Sequence, residues 1–276
     1  MNMIDFQYKG ESLSSHGCMI AYVVTSSSDN ISAGSEISTE TVTNKQSHKF
    51  KTINIKYETP ITVTFDIIKN DCEDINNKEF TDTELSWFLR WLNSKTDEKF
   101  YPIYDDRSFE NIFYYGKFNK INYIHIGGNV IGLTVTFTAN TSFGYIEKEY
   151  EVTTTNNYDT FTIYNESDEI GELYPKFVKI KCINSGNLRI SHSEDIPFKD
   201  KFFYVANCES NEIITLDCEN KIITSSMEHP KLYNDFNYGW ISLWNDWNNN
   251  KNVFLVSIPC EITIKYDLIR KVGIVV

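Results

Sequence analysis

Strict alternation, with a period of two, is the feature that most constrains what this chain can fold into. In "ITVTFDII" the residues Ile61, Val63, Phe65 and Ile67 fall on one face. In "IGLTVTFTA" Ile131, Leu133, Val135 and Phe137 do the same, and Thr fills the other face. "CEITIKYDL" repeats the pattern with Ile262, Ile264 and Tyr266. Successive side chains of a strand point to opposite sides, so these segments read as strands with one buried face. Turn-forming clusters such as "SSSDN", "TTTNNYD", "NESDEIGE" and "NNNKN" separate them. The opening Phe6-x-Tyr8 pair reads as a first strand that turns at Lys9-Gly10. Gly127, Gly128 and Gly132 in "IHIGGNVIG" lack the Lys and Ser/Thr of a phosphate loop and read as a tight turn or bulge between two strands.

One segment breaks the period. In "TDTELSWFLRWLNSKTDE", Leu85, Phe88, Leu89 and Leu92 sit at i, i+3, i+4 and i+7, the face of a helix near 82–94. Thr81 and Glu84 have the spacing of a capping box, and Trp87 and Trp91 widen the apolar face. The length of 276 residues fits two domains, and the boundary is expected near "YEVTTTNNYDT". This gives a β-rich domain with one helix over 1–150 and an all-β sandwich over 151–276.

Charge and cysteine usage exclude several function classes. A formal net charge of −12 with scattered Lys and Arg argues against wrapping nucleic acid, which needs clustered cations. Cys18, Cys72, Cys182, Cys208, Cys218 and Cys260 lie far apart without a C-x-x-C pair, so they are expected to be mostly buried apolar residues rather than zinc ligands. The first twenty residues lack the basic start and apolar run of a secretory signal, and synthesis as a soluble cytoplasmic product is expected.

The sequence carries no recognisable catalytic motif. His16, His48, His125, His192 and His229 have no Ser, Cys or Asp partner in a recognisable local motif, and no G-x-S-x-G elbow is present. The acidic cluster Glu166, Asp168, Glu169 and Glu172 reads as a solvated loop, the alternative being paired carboxylates of a glycan hydrolase. No catalytic residue, metal ligand or cofactor is assigned. "NDFNYGWISLWNDWNNN" is more pointed. Trp240, Trp244 and Trp247 are either core anchors or rings that stack on sugars, with Trp244, Asn245, Asp246 and Trp247 as candidate glycan contacts.

Several segments, taken in order, resemble the distal tail (Dit) proteins of long-tailed bacteriophages that infect Gram-positive hosts. The opening "DFQYKGESLSSHGCMI" is similar to the family's start, an aromatic pair followed by Gly and Ser and a turn into a second strand. "LSWFLRWLNSKTDEKFYPIYDDRSFENIFYYGKF" resembles its helix, acidic turn and tyrosine-rich strand. "ELYPKFVKIKC", "NEIITLDCENKIITS", "WISLWNDWNNNKNVFLV" and "EITIKYDLIRK" are similar to its second domain.

The resemblance implies a mainly β fold, with a partly open β-barrel N-terminal domain carrying one α-helix and a galectin-like β-sandwich after it. It further implies a homo-hexameric ring at the virion tail tip that joins the tail-tube protein to a tail-tip hub or tail-associated lysin. DNA passes through the ring without specific binding, receptor-binding proteins are candidate partners, and no membrane is involved. A head-to-tail ring uses two different patches on each subunit. The 17 Tyr and 18 Phe are read as material for such interfaces. A carbohydrate-binding adhesin is the alternative.

Overall fold

The structure is a computed structural model that describes residues 2–21, 37–44, 49–57, 59–70, 78–107, 109–193, 201–246 and 248–274. It divides into two compact units, Met1–Tyr145 with Arg270–Val276, and Ile146–Ile269. The chain crosses between them twice without a linker. Its last segment therefore belongs to the first unit, where the Tyr114 hydroxyl donates to the Val272 carbonyl at 3.0 Å and Ile274 is buried.

The first unit contains β1 (Met3–Tyr8), β2 (Glu11–Ser12), β3 (Cys18–Ala21), β4 (Ile37–Asn44), β5 (Lys49–Tyr57), β6 (Thr62–Lys69), α1 (Asp82–Leu92), β7 (Glu98–Tyr104), β8 (Tyr114–Ile126) and β9 (Asn129–Ala139). Seven of these strands form one open sheet in the order β2-β1-β7-β8-β9-β6-β3. The alternation decides its faces. Val63, Phe65 and Ile67 of β6 are buried with Leu133, Val135 and Phe137 of β9, while Ile61 and Ile131 at the margins are half-buried. On the opposite face the Thr64 and Thr136 hydroxyls meet at 2.9 Å, and Thr134 donates to Asp66 at 2.6 Å. Such cross-strand pairs contribute roughly 0.2–1 kcal/mol each.

Met3 and Phe6 are an odd number of residues apart, yet both are buried. A register shift between Met3 and Asp5 against β7 reconciles the two, because a bulge resets which side of the strand faces inward. Lys9 (φ 52°) and Gly10 (φ 81°) form the two-residue turn that joins Tyr8 to Glu11. Gly127 (φ 60°) and Gly128 (φ 95°) do the same between Ile126 and Asn129. Two positive φ values in succession match the right-handed twist of a hairpin, which is why Gly recurs there.

Helix α1 starts on the expected capping box. Glu84 N–H donates to the Thr81 hydroxyl at 3.3 Å, and Thr81 N–H donates to the Glu84 carboxylate at 2.7 Å. Its buried stripe is Leu85, Phe88, Trp91 and Leu92. Leu89, expected on that stripe, is only half-buried, because Trp91 takes the inward position. The Trp91 ring stacks on Phe6 at 5.6 Å and its indole N–H donates to the Tyr8 carbonyl at 3.0 Å. At the other end of the helix the Lys9 ammonium donates to the Trp91 and Asn93 carbonyls at 2.8 and 3.0 Å. A cation there satisfies carbonyls that have no partner within the helix.

The second unit continues with β10 (Gly144–Thr153), β11 (Asp159–Tyr164), β12 (Gly171–Leu173), β13 (Phe177–Cys182), β14 (Gly186–His192), β15 (Phe202–Cys208), β16 (Ile213–Asp217), β17 (Ile222–Ser225), α2 (Leu232–Asp235), β18 (Leu243–Asn245), β19 (Lys251–Val256) and β20 (Cys260–Arg270). A five-stranded sheet, β10-β20-β13-β16-β17, faces a four-stranded sheet, β11-β19-β14-β15. Alternate residues of both point into one core. Val178, Ile180, Ile214, Leu216, Ile262 and Ile264 come from the first sheet, and Phe161, Ile163, Leu188, Ile190, Phe203 and Phe254 from the second. This is a β-sandwich. Cys18, Cys182, Cys208, Cys218 and Cys260 are free and buried; Cys72 lies outside the described residues.

Candidate assembly surfaces

Strands β4 and β5 pair only with each other among the described residues and form a separate two-stranded ribbon. Ile37 pairs with Tyr57, and Thr39 with Ile55, so their side chains share a face. Ile37, Val42, Ile53 and Ile55 each keep more than half of their surface in solvent. The base of the ribbon is held by Tyr57, whose ring meets Phe143 edge-on at 4.5 Å. A two-stranded hairpin is marginal alone in water. Exposed branched aliphatics on a ribbon with open strand edges invite pairing with another chain.

A second surface of the first unit lies between α1 and the β8–β9 hairpin. It is an open groove of about 750 Å³ whose lining includes the apolar Leu85, Leu89, Tyr123 and Val130 together with Arg90 and His125. Tyr123 and Ile126 of the hairpin are exposed. The hairpin and this groove are two different apolar surfaces on one unit.

The candidate glycan contacts occupy β18 and the turn after it. Asn245 is buried, and its amide donates to the Ser167 and Glu169 carbonyls at 2.7 and 2.9 Å. Trp244 is half-buried. Its backbone is bracketed by the fully buried Asn252 side chain, which accepts from Trp244 N–H at 2.6 Å and donates to its carbonyl at 2.9 Å. Asp246 closes a small turn with Asn249 through two backbone hydrogen bonds, at 3.0 and 2.9 Å. Trp247 lies outside the described residues. Trp240 packs against the sandwich core with its plane perpendicular to Phe236 at 5.5 Å.

The acidic cluster differs from a uniformly solvated loop. Glu166 is exposed, but Asp168, Glu169 and Glu172 are half-buried, because β12 pairs with β18 and draws the segment onto the sandwich. Burial pushes the Glu172 carboxyl up, yet hydrogen bonds from Ser242, Lys201 and Tyr174 outweigh it and hold the group below the usual range.

Sequence spacing also missed a buried charge cluster. His229 Nδ1 lies 2.8 Å from Glu212 Oε1 and its Nε2 lies 3.1 Å from Asp235 Oδ2. Burial alone would lower the imidazole pKa, but the two carboxylates outweigh it and raise it. Glu212 also accepts from the Ser225 hydroxyl and the Glu209 amide, both at 2.7 Å. Both ring nitrogens are thus committed to carboxylates, and neither is placed to take a proton from a hydroxyl. His192 Nε2 contacts the Ser242 carbonyl at 3.1 Å, and its ring packs on Phe254 at 4.4 Å. His48 lies outside the described residues. Among the described residues, no group of three or more His, Cys, Asp or Glu side chains is arranged to hold a metal ion, and no helix is long and apolar enough to cross a membrane.

Comparison with known proteins agrees over nearly the whole chain. No curated protein matches it. In fold it is similar to the Dit protein of phage SPP1, described as a paradigm of the hub adsorption apparatus in Gram-positive infecting phages. That likeness has a TM-score of 0.63 and 13% identity over 96% of this chain and 99% of the other. Chains of the phage p2 baseplate in its activated conformation, with Ca and with Sr, align at a TM-score of 0.48 and 10% identity over 95% of this chain. They cover 98% and 97% of their own lengths. Residues 1–141 match the family model described as a phage tail protein N-terminal domain, and residues 143–266 match that of a phage tail C-terminal domain. The chain belongs to this family of phage tail proteins.

Proposed function

We propose that this phage tail protein is a distal tail hub, an architectural rather than catalytic component that forms a hexameric ring between tail tube and tail tip. The observation that carries the reading is the SPP1 Dit fold, which runs through both units and leaves almost none of either chain unmatched. The first unit forms the ring. Its β4–β5 hairpin and the groove beside α1 supply two unlike surfaces, as a closed head-to-tail ring requires. An acidic total charge of −12 suits an opening through which DNA slides without being held. Tail-tube protein, tail-tip hub and receptor-binding proteins are the expected neighbours.

Light scattering after size exclusion, followed by negative-stain imaging, tests this. A hexamer, or two stacked hexamers, with a central hole is the expected result. A monomer that stays monomeric when the tail-tube and tail-tip proteins are added would overturn it.

A further inference from the structure

We infer that Cys182 and Cys208 are a redox-active thiol pair, which peroxide converts into a disulfide joining the two sheets of the second unit. As a phage tail component the chain meets an oxidising medium outside the host cell, where disulfides persist.

The fold brings the pair together across residues 183–207. Cys182 ends β13 in the five-stranded sheet, and Cys208 ends β15 in the four-stranded one. Facing sheets stand about 10 Å apart, whereas a disulfide wants its Cα atoms about 4.4–6.8 Å apart. At this end of the sandwich the chain itself bridges the gap. Glu212 N–H donates to the Glu209 carbonyl at 3.2 Å, which folds the β15–β16 turn back on itself. Asn211 N–H donates to the Cys182 carbonyl at 2.7 Å, and Cys182 N–H donates to the Glu212 carbonyl at 2.9 Å. The turn that follows Cys208 is thereby fixed to the end of β13. Both cysteines are buried, at 0% and 2% exposure, and the Cys182 thiol donates a hydrogen bond to the Cys208 sulfur.

The two sulfurs are not equivalent. The Cys182 thiol, and to a lesser degree His229 and the Leu188 amide, hold the Cys208 thiol below its usual range against burial and the Glu212 carboxylate. Cys182 is raised, first by the same hydrogen bond and then by burial. Cys208 is therefore the nucleophile and Cys182 the resolving thiol. Cys260 is the register partner of Cys182 in β20. Its sulfur lies 3.5 Å from the Thr154 hydroxyl, and burial pushes its thiol up to about 11, so it stays protonated. A cavity of about 260 Å³ gives a small oxidant its approach. Its lining includes Asn207 and Glu209, the residues on either side of Cys208, together with Glu212 and His229.

The Cys208 thiolate attacks one oxygen of hydrogen peroxide, and the O–O bond breaks. The products are a sulfenic acid and a hydroxide that takes up the thiol proton. The Cys182 sulfur then attacks the Cys208 sulfur, the S–O bond breaks, and the departing hydroxide takes the Cys182 proton. Two thiols and one peroxide become one disulfide and two waters. The bond closes residues 183–207 into a loop, which restricts the unfolded chain more than the folded one.

The test treats the full chain, freed of reductant, with an equimolar amount of hydrogen peroxide. Free thiols are titrated in denaturant, the peptides are mapped by mass spectrometry, and the urea midpoint is measured. Six thiols should fall to four, and the map should show Cys182 joined to Cys208. The midpoint should rise, and a dithiol reductant should reverse the rise. Cys260→Ser should still form the bridge, and Cys182→Ser should stop at a Cys208 sulfenic acid that dimedone traps. On the unsubstituted chain, a bridge through Cys260 or Cys72, sulfinic acid at Cys208 beside a free Cys182, or six intact thiols would each overturn the proposal. Each readout is made on the single chain, so a result against the ring leaves this pair unaffected.

Discussion

The two units bury different material. In the first, Phe6 is ringed by Phe65, Phe100, Phe118 and Trp91, with centroids 5.2 to 5.7 Å away, and Phe100 stacks on Phe137 at 4.4 Å. In the second, branched aliphatics and small thiols from β13, β16 and β20 dominate one side of the core. Two sheets stacked about 10 Å apart interdigitate best with Val and Ile. A sheet covered by a single helix leaves uneven gaps that broad rings fill. The difference corrects one inference from composition. Most phenylalanines of the first unit, read as interface material, are buried in its own core, and the apolar surface it exposes combines Ile37, Val42, Ile53, Ile55 and Ile126 with Phe109 and Tyr123.

Phe6 is the sharpest place to break this comparison. Phe6→Ala removes the ring at the centre of the cluster and should cost about 3–5 kcal/mol, whereas Ile180→Val in the sandwich should cost about 0.5–1.5 kcal/mol. Urea unfolding followed by near-UV circular dichroism checks both. Equal losses would mean that the ring cluster is not the keystone its geometry suggests.

The second unit has its own central element, the Glu212–His229–Asp235 cluster. Removing Glu212 with Glu212→Ala leaves the His229 ring short of one hydrogen-bond partner and should cost about 1–3 kcal/mol. The pH dependence has two signs. His229 is raised by folding, so its contribution is complete below the ordinary histidine value of ~6.5 and fades as pH rises through the higher folded value. Glu212 and Asp235 are lowered, so theirs is complete above the ordinary carboxylate values near ~4 and fades as pH falls through the lower folded ones. Urea midpoints against pH should therefore pass through a maximum in mildly acidic solution. In His229→Gln the alkaline slope should flatten.

Local chemistry was legible in the sequence; the placement of distant residues was not. The helix start is an example of the first kind, since Thr81 and Glu84 satisfy each other across one turn. Thr81→Ala should cost about 1 kcal/mol, measured as a shift of the same urea midpoint with its slope unchanged. The Lys9-Gly10 and Gly127-Gly128 turns were readable for the same reason. Trp91 was read onto the apolar face and is buried there, but the half-exposure of Leu89 was not readable, because the Tyr8 carbonyl that holds the Trp91 indole lies 83 residues away. Glu212, His229 and Asp235 meet only after β16 and β17 have folded back. The return of residues after Ile269 to the first unit was hidden because no linker marks either crossing.

The hairpin shows most clearly what alternation leaves open. "ISTETVTN" and "KFKTINIKY" carry the same β-branched pattern as β6 and β9, and nothing in the pattern says whether a face will be covered. In β6 and β9 it is covered by the unit's own rings. In β4 and β5 it meets solvent. Replacing Ile53 and Ile55 together by Thr should therefore change the stability of the isolated chain by no more than about 0.5 kcal/mol per site, the usual range for surface positions. On the proposed ring reading, the same pair of changes should abolish or strongly weaken assembly, because these exposed isoleucines would form the contact. Light scattering and the urea midpoint, measured on one preparation, separate the two effects. A large loss of stability would place these isoleucines in the unit's own packing. Unchanged assembly would mean that the ring closes through some other face.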